Sequence, residues 1–163
     1  MTKAAKISSA PFSSGDLYER DYHAWCVAQA RALRERQLDQ VDWPNVAEEI
    51  EDLGKNERRA LRSRIMRLLE HLLKLAYARD RLFRNNARGW ELSVRNARDV
   101  VRESLDDNPS LRAETGPLLL AAYRSARNEA LKSLRLPDTA IPEAAPWIFA
   151  QIIDDAFLPV RHG

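Results

Sequence analysis

Residues 61–77 read LRSRIMRLLEHLLKLAY, and this stretch decides the fold. Its apolar side chains recur at helical spacing and form two adjoining stripes. One stripe contains Leu61, Ile65, Leu68, Leu72 and Leu75, and the other contains Met66, Leu69, Leu73 and Tyr77. A helix with so wide an apolar surface is typical of the interior of a helical protein. The stretch therefore predicts the central helix of an all-α fold.

The flanking sequence predicts further helices around this one. Apolar spacing places helices at residues 16–36, 44–79, 86–105, 117–134 and 146–154. Gly54 is the weak point of the second helix, where we expect a kink or a short break. Gly116 and Pro117 are expected to interrupt the fourth helix early, so that its main body begins at Pro117. The predicted fold is an antiparallel bundle of four main helices plus a short C-terminal helix.

The length of 163 residues fits one domain with a sizeable core. We expect a single helical-bundle domain at residues 16–159, preceded by a flexible N-terminal tail at residues 1–15. The single cysteine, Cys26, excludes an internal disulfide and fits a reducing compartment. No apolar run approaches the roughly 20 residues of a membrane span. The sequence therefore predicts a cytoplasmic protein without a membrane partner.

The charges are unevenly distributed, although the net charge is only +2. Residues 39–54 contain six acids and no base, whereas residues 55–102 contain fourteen Lys or Arg and five acids. Such segregation is typical of a site for polyanions, but it equally allows an acidic helix to pack beside a basic one.

His71 is the only histidine within a long apolar run, and it lies on a polar edge of that run. Glu57, Arg64 and His71 are seven residues apart, so they share one side of a helix. The candidate polar cluster consists of Asp21, Glu49, Glu57, His71 and Lys74. These groups either converge as a proton-transfer or binding site with perturbed pKa values, or satisfy one another as a structural network. The second interpretation is favoured.

No metal or cofactor site is predicted. Di-metal bundles use Glu-x-x-His pairs, and zinc proteases use His-Glu-x-x-His; neither pattern occurs here. The cations Arg67 and Lys74 flank His71 where metal ligands would be needed. A phosphate-binding loop and a nucleophile elbow are also missing, so the sequence contains no complete catalytic motif and leaves enzymatic activity open.

Nucleic acid is a less favoured partner. The candidate basic face on the third predicted helix consists of Arg84, Arg88, Arg95 and Arg102. Such a row of arginines is suited to contacts with phosphates. However, Glu91, Arg95 and Asp99 have the i, i+4, i+8 spacing of ordinary surface ion pairs.

Several motifs together resemble a known family. They are DLYERDYHAW, DWPNVAEEIEDLGKNERRALRSR, LLEHLLKLAY, NPSL and the closing FLP. From residue 16 to residue 159 the chain resembles the bacterial family catalogued as domain of unknown function 29. Matching positions include Tyr18, Asp21, Trp25, Glu49, His71, Leu72, Leu73, Lys74, Trp90, Pro109, Tyr123 and Pro159. The resemblance implies a single all-helical domain and no established activity, and Gly116-Pro117 departs from the family pattern.

Three functions are compatible with these observations. The favoured one is a helical interaction or regulatory module whose partner is another protein or a second copy in a homodimer. The first alternative is an enzyme or small-ligand-binding protein that uses the cluster around His71. The second is a nucleic-acid-binding protein that uses the basic face.

Overall fold

The structure of the protein is a computed structural model that describes residues 14–162, with side chains from residue 17 onward. Residues 1–13 of the predicted tail lie outside the described residues, whereas Ser14 and Gly15 belong to the first helix.

Helices account for all the regular structure of residues 14–162, which contain no strand. The helices are α1 (Ser14–Arg20), α2 (Tyr22–Arg34), α3 (Trp43–Tyr77), α4 (Asp80–Asp107), α5 (Thr115–Leu134) and α6 (Phe149–Ile153). Short 3₁₀ turns occur at Leu38–Gln40, Pro109–Glu114 and Asp138–Ala140. The predicted all-α class, with four main helices (α2 to α5) and a short C-terminal helix, is confirmed.

Contacts between residues divide the chain into two compact units, Met1–Lys55 and Asn56–Gly163. The first contains α1, α2 and the start of α3, and the second contains the rest of α3 together with α4, α5 and α6. The single domain predicted for residues 16–159 stays a prediction.

The first predicted helix is in fact two, because Asp21 separates α1 from α2. The backbone of Asp21 is non-helical (φ −148°, ψ 80°), and its carboxylate accepts a hydrogen bond from the Ala24 amide at 2.9 Å. This is an N-cap, which satisfies one of the free N–H groups at the start of a helix. The prediction of one continuous helix over residues 16–36 was therefore wrong at Asp21.

The interruption expected at Gly54 is missing from α3, whereas the one expected at Gly116 and Pro117 lies just before them, at the start of α5. Gly54 lies inside the unbroken α3, since a single glycine costs only about 1 kcal/mol relative to alanine, and the residues on both sides are helical. Gly116 and Pro117 fall in the first turn of α5, where proline is tolerated because the N–H it lacks would have no helical acceptor. The expected break at Gly54 was therefore wrong, whereas the expected start of the main body of the fourth helix at Pro117 agrees with the structure to within two residues, because the 3₁₀ turn Pro109–Glu114 comes before α5. By contrast, α4 begins at Asp80, six residues before the predicted start.

The core of the second unit is built on the apolar stripes of α3. The leucines and isoleucine of the first stripe are buried, as are Leu69 and Leu73 of the second. Val94, Val101 and Leu105 of α4 pack in the same cluster, together with apolar residues of α5 and with Ile152 of α6. The segment quoted at the outset is thus the centre of this core, as its pattern predicted.

The closing segment, residues 154–162, follows α6 and is attached to α3 and α4. The Arg98 guanidinium of α4 donates to the carbonyl oxygens of Ile152 (2.8 Å), Asp155 (3.4 Å) and Phe157 (2.7 Å). At the other end, the amide of His162 donates to the carbonyl of Ala76 at 2.7 Å. Arg98 is only 1% exposed, so its charge is buried against backbone oxygens.

Candidate functional site

An open cleft of about 550 Å³ lies between α3 and α4 within the second unit, and we call it the His71 cleft. It is lined by Ala60, Ser63, Arg64, Arg67 and His71 of α3 and by Ser93, Asn96, Ala97 and Val100 of α4. Of the five residues in the predicted polar cluster, His71 alone belongs to this lining.

The cleft results from small side chains where the two helices face each other. Only Ala78 and Arg79 connect α3 to α4, so the helices form a tight hairpin. Residues 60, 63, 67 and 71 are spaced by three and four, which places them on one face of α3. Alanine and serine cannot fill the space between the helices as leucine does beneath, and a cavity remains.

Arg64 and Arg67 supply the fixed positive charge of the cleft. Arg64 is half-buried, and its Nη1 donates to the hydroxyl of buried Ser104 at 2.5 Å. The Ser104 hydroxyl in turn donates to the carbonyl of Val100 at 2.6 Å, so the guanidinium of Arg64 is oriented by a buried partner. Arg67 is exposed and makes no hydrogen bond or ion pair with a described residue.

His71 is half-buried, and its Nδ1 atom is inaccessible to solvent and has no hydrogen-bond partner among the described residues. Burial lowers the pKa of His71 below its ordinary value, and the charges of Lys74 and Arg67 lower it further, whereas Glu70 raises it. The surroundings of His71 therefore favour its neutral form. A buried ring nitrogen without a hydrogen-bond partner costs about 1–3 kcal/mol of folding free energy.

The chemistry of the lining favours binding over catalysis. Its polar groups are two guanidinium groups, an imidazole, two hydroxyls and the amide of Asn96, and it contains no carboxylate. No pair of lining side chains combines a nucleophile with a hydrogen-bonded base. Such groups can hold a ligand by charge and hydrogen bonds.

Lys74 and Glu57, the remaining cluster residues of the second unit, have separate partners. Lys74 forms an ion pair with Glu70 at 2.6 Å, one turn earlier on α3. Glu57 is exposed and accepts a long hydrogen bond of 3.4 Å from Asn108. Neither side chain lines the cleft, although Lys74 acts on His71 through its charge.

Asp21 and Glu49 belong to the first unit. Asp21 is the N-cap of α2, whereas Glu49 of α3 accepts hydrogen bonds from the hydroxyls of Tyr18 (2.7 Å) and Tyr22 (2.6 Å). The carboxylate of Glu49 raises the pKa of Tyr18 to about 12 and that of Tyr22 still further. Together with Trp25, whose ring contacts both tyrosines, these residues form an aromatic and carboxylate contact within the unit.

The four arginines of the candidate basic face differ in their contacts. Arg84, Arg88 and Arg95 are exposed on α4. Arg102 instead donates to the carbonyl of Ile153 at 2.8 Å and to the carboxylate of Asp155 at 2.6 Å, which ties α4 to α6 and to the closing segment.

Sequence reasoning missed the α4 side of the cleft. Arg64 and Arg67 were recognised on the polar edge of α3, but Ser63, Ser93 and Asn96 were not assigned to any site. Their spacing on each helix is visible in the sequence. The register between the helices depends on the two-residue connection. The sequence instead predicted that one helix ends at residue 79 and the next begins at residue 86, so this short connection was missed.

Within the described residues, no group of three or more His, Cys, Asp or Glu side chains is placed to hold a metal ion. None of the helices in residues 14–162 combines the length and apolar character needed to cross a membrane. The cytoplasmic location stays a prediction.

In a comparison with protein families, the model described as domain of unknown function DUF29 matches residues 17–158. Neither a curated protein nor a solved structure matches the chain significantly.

Proposed function

The chain belongs to the family of domain of unknown function DUF29, and we propose that it is a ligand-binding module whose small-molecule ligand occupies the His71 cleft. One observation carries the proposal: a cleft of about 550 Å³ in which polar groups from two helices converge above an apolar core. Small-molecule sites typically have volumes of about 300–1,000 Å³ and combine a few polar groups with apolar walls. This function corresponds to the sequence-based alternative of a ligand-binding protein around His71.

Filling the cleft tests this proposal. Ala97→Trp places an indole in the cleft, and Ala121→Trp, at an exposed position on α5, is the matched control. Both variants and the wild-type protein are screened by ¹H–¹⁵N NMR against a library of neutral, cationic, carboxylate and phosphate fragments. We expect some fragments to shift the amides of Ser63, Ser93 and Asn96, and to do so in Ala121→Trp but not in Ala97→Trp. Failure of every fragment to shift these amides contradicts the proposal.

A second candidate function, self-association, is favoured by an exposed apolar row in the first unit. We call this row the α3 seam: it consists of Trp43, Ile50 and Leu53, which are exposed, and Val46, which is half-buried. Trp43, Ile50 and Leu53 are 52%, 64% and 66% exposed, which is unusual for side chains so apolar. Their spacing of three, four and three residues is that of a coiled-coil seam.

We propose that a second copy of this chain covers the α3 seam. The spacing reads the same in both directions, so a two-fold-related antiparallel copy opposes Trp43 to Leu53 and Val46 to Ile50. Gly54 flanks the seam and has no atom within 4 Å of where a Cβ would lie, which permits a close approach of the second helix. The neighbouring acids Glu51 and Asp52 are paired with Lys55 at 3.7 and 2.8 Å, which reduces repulsion between the copies.

Oligomeric state tests the second candidate. Light scattering after size-exclusion chromatography should show a dimer for the full-length chain and a monomer for Ile50→Asp. Leu92→Asp, at a 57% exposed position on α4, is the matched control and should remain dimeric. A wild-type chain that is monomeric at its highest soluble concentration excludes the second copy.

A further inference from the structure

The charge of the His71 cleft restricts the chemical class of its ligand. Arg64 and Arg67 are cationic, His71 is titratable, and no carboxylate is present in the lining. Glu70, the acid on α3 whose charge raises the pKa of His71, is paired with Lys74 at 2.6 Å. That pair is neutral as a unit, so the positive charge of the two arginines is not compensated from within the lining. A cationic ligand would be repelled.

The arginines also have unused hydrogen-bond donors. A guanidinium has five N–H groups in a planar fork, which suits carboxylate and phosphate oxygens. Within the described residues, Arg64 uses one of them for Ser104, and Arg67 uses none. Ser104 is buried and itself bonded to Val100, so it fixes the direction of Arg64 before any ligand binds. Arg64, whose guanidinium is oriented, and Arg67, whose guanidinium is accessible, lie on neighbouring turns of α3. Together they suit the binding of an oxyanion.

The remaining lining indicates an organic body attached to the anion. Ala60, Ala97 and Val100 provide an apolar wall, and Ser63 and Asn96 provide neutral donors and acceptors. The Ser93 hydroxyl donates to the Gly89 carbonyl at 2.9 Å, so it provides an acceptor. At about 550 Å³ the cleft is much larger than a lone phosphate or carboxylate group. An inorganic ion would leave the apolar wall in water and gain nothing from it.

From these contacts we infer that the His71 cleft binds a small organic anion whose carboxylate or phosphate group lies against Arg64 and Arg67. The inference rests on the proposed ligand-binding function and names its ligand class. Arg64 and Arg67 hold the charged group, Ser93 and Asn96 orient the ligand from α4, and the alanines contact its apolar part.

Four aromatic probes of similar size and different charge test the inference on the full-length protein. They are benzoate, phenyl phosphate, benzyl alcohol and benzylamine, and inorganic phosphate is added as a fifth probe without an organic body. We expect benzoate or phenyl phosphate to shift the amides of Ser93 and Asn96 in NMR titrations, and the better of the two identifies the anionic group. Benzyl alcohol, benzylamine and inorganic phosphate should bind at least about tenfold more weakly.

Arg67→Gln should weaken the better anion about tenfold or more, since it removes a charged donor from the site. Arg67→Lys should retain part of the affinity. Arg88→Gln removes an equally exposed arginine outside the cleft and should leave the affinity unchanged. The affinity of Arg64→Gln is interpreted together with its thermal unfolding, because this substitution also removes the hydrogen bond to Ser104.

Two results separate this inference from the function on which it rests. If benzyl alcohol or benzylamine binds as tightly as the anions and Ala97→Trp abolishes that binding, the cleft is a ligand site but the anion inference is wrong. Equal losses in Arg67→Gln and Arg88→Gln likewise overturn it, because they indicate a general charge effect. If no probe shifts the cleft amides and the fragment library also fails, both proposals fall.

Discussion

Arg98 and Arg67 are the same residue type in the same unit, and their surroundings are opposite. Arg98 is 1% exposed and donates to three backbone carbonyls of α6 and the closing segment. Burial lowers the pKa of Arg98 from its ordinary value, and the charge of Asp155 partly offsets this. Arg67 lies on an open cleft and makes no hydrogen bond with a described residue.

The difference shows how to separate a structural arginine from one available to a ligand. When the protein itself supplies all the acceptors, the charge maintains the fold, and its removal leaves carbonyls without donors. When the donors point into a cleft and no protein acceptor meets them, removal has little effect on folding and a large effect on binding. Sequence spacing assigned neither role, because both residues belong to amphipathic helices.

The largest expected effect in this comparison is on stability. Arg98→Met should lower the free energy of unfolding by about 3 kcal/mol, because the carbonyl of buried Ile152 and the part-buried carbonyl of Phe157 lose their charged donor. Arg67→Met is the control and should change stability by less than about 0.5 kcal/mol. Amide hydrogen exchange of Leu72 and Val101, in the core of the second unit, measures both. Similar losses of unfolding free energy in Arg98→Met and Arg67→Met would contradict the distinction between a structural arginine and one available to a ligand.

Arg102 should lie between these extremes. It donates to the Ile153 carbonyl and to Asp155, but its side chain is 36% exposed. Arg102→Gln should therefore cost about 1 kcal/mol in the same exchange measurement, since exposed ion pairs contribute little. A loss as large as that of Arg98→Met would show that exposure does not control the contribution of these arginines.

The smallest expected effect concerns pH and His71. The pKa of His71 is lowered in the folded protein by burial and by Lys74 and Arg67, whereas the unfolded chain titrates near about 6.5. As the pH falls through about 6.5, the unfolded state gains a proton that the folded state does not, so the free energy of unfolding decreases. The decrease stops below the folded-state pKa.

His71→Gln removes this titration and is compared with the wild-type protein by urea denaturation between about pH 8 and pH 5. The wild type should lose more stability than the variant over this range. Identical profiles would show that the environment of His71 does not disfavour its charged form. The acids Asp80 and Asp155, whose pKa values are lowered by Arg161 and Arg102, act only at lower pH.

The parts of the fold that sequence predicted are those set by local spacing. The leucine stripes of α3 predicted a buried helix because each helix turn repeats the pattern, and the structure places these residues in the core. The break at Asp21 was missed because aspartate occurs both inside helices and as their cap, and only its backbone angles distinguish the two. The burial of Arg98 was missed because its acceptors lie 54 to 59 residues further along the chain.

The candidate site was predicted on one side only. His71 and the neighbouring arginines are visible as a polar edge on α3, since they share a face of one helix. Whether that edge meets a cavity depends on the register of α4, which the connection through Ala78 and Arg79 sets. Small residues such as Ser93 and Ala97 carry no signal until that register is known.

The distance in sequence between Arg98 and its acceptors has a consequence for the order of events during synthesis. The hairpin of α3 and α4 is complete by residue 107, but the carbonyls that surround Arg98 belong to residues 152–157. In a nascent chain that lacks these residues, the guanidinium of Arg98 is therefore solvated, whereas in the folded protein it is bonded to their carbonyls. Residues 152–157 complete this part of the core, so a nascent chain cannot bury Arg98 in this way until they have been synthesised.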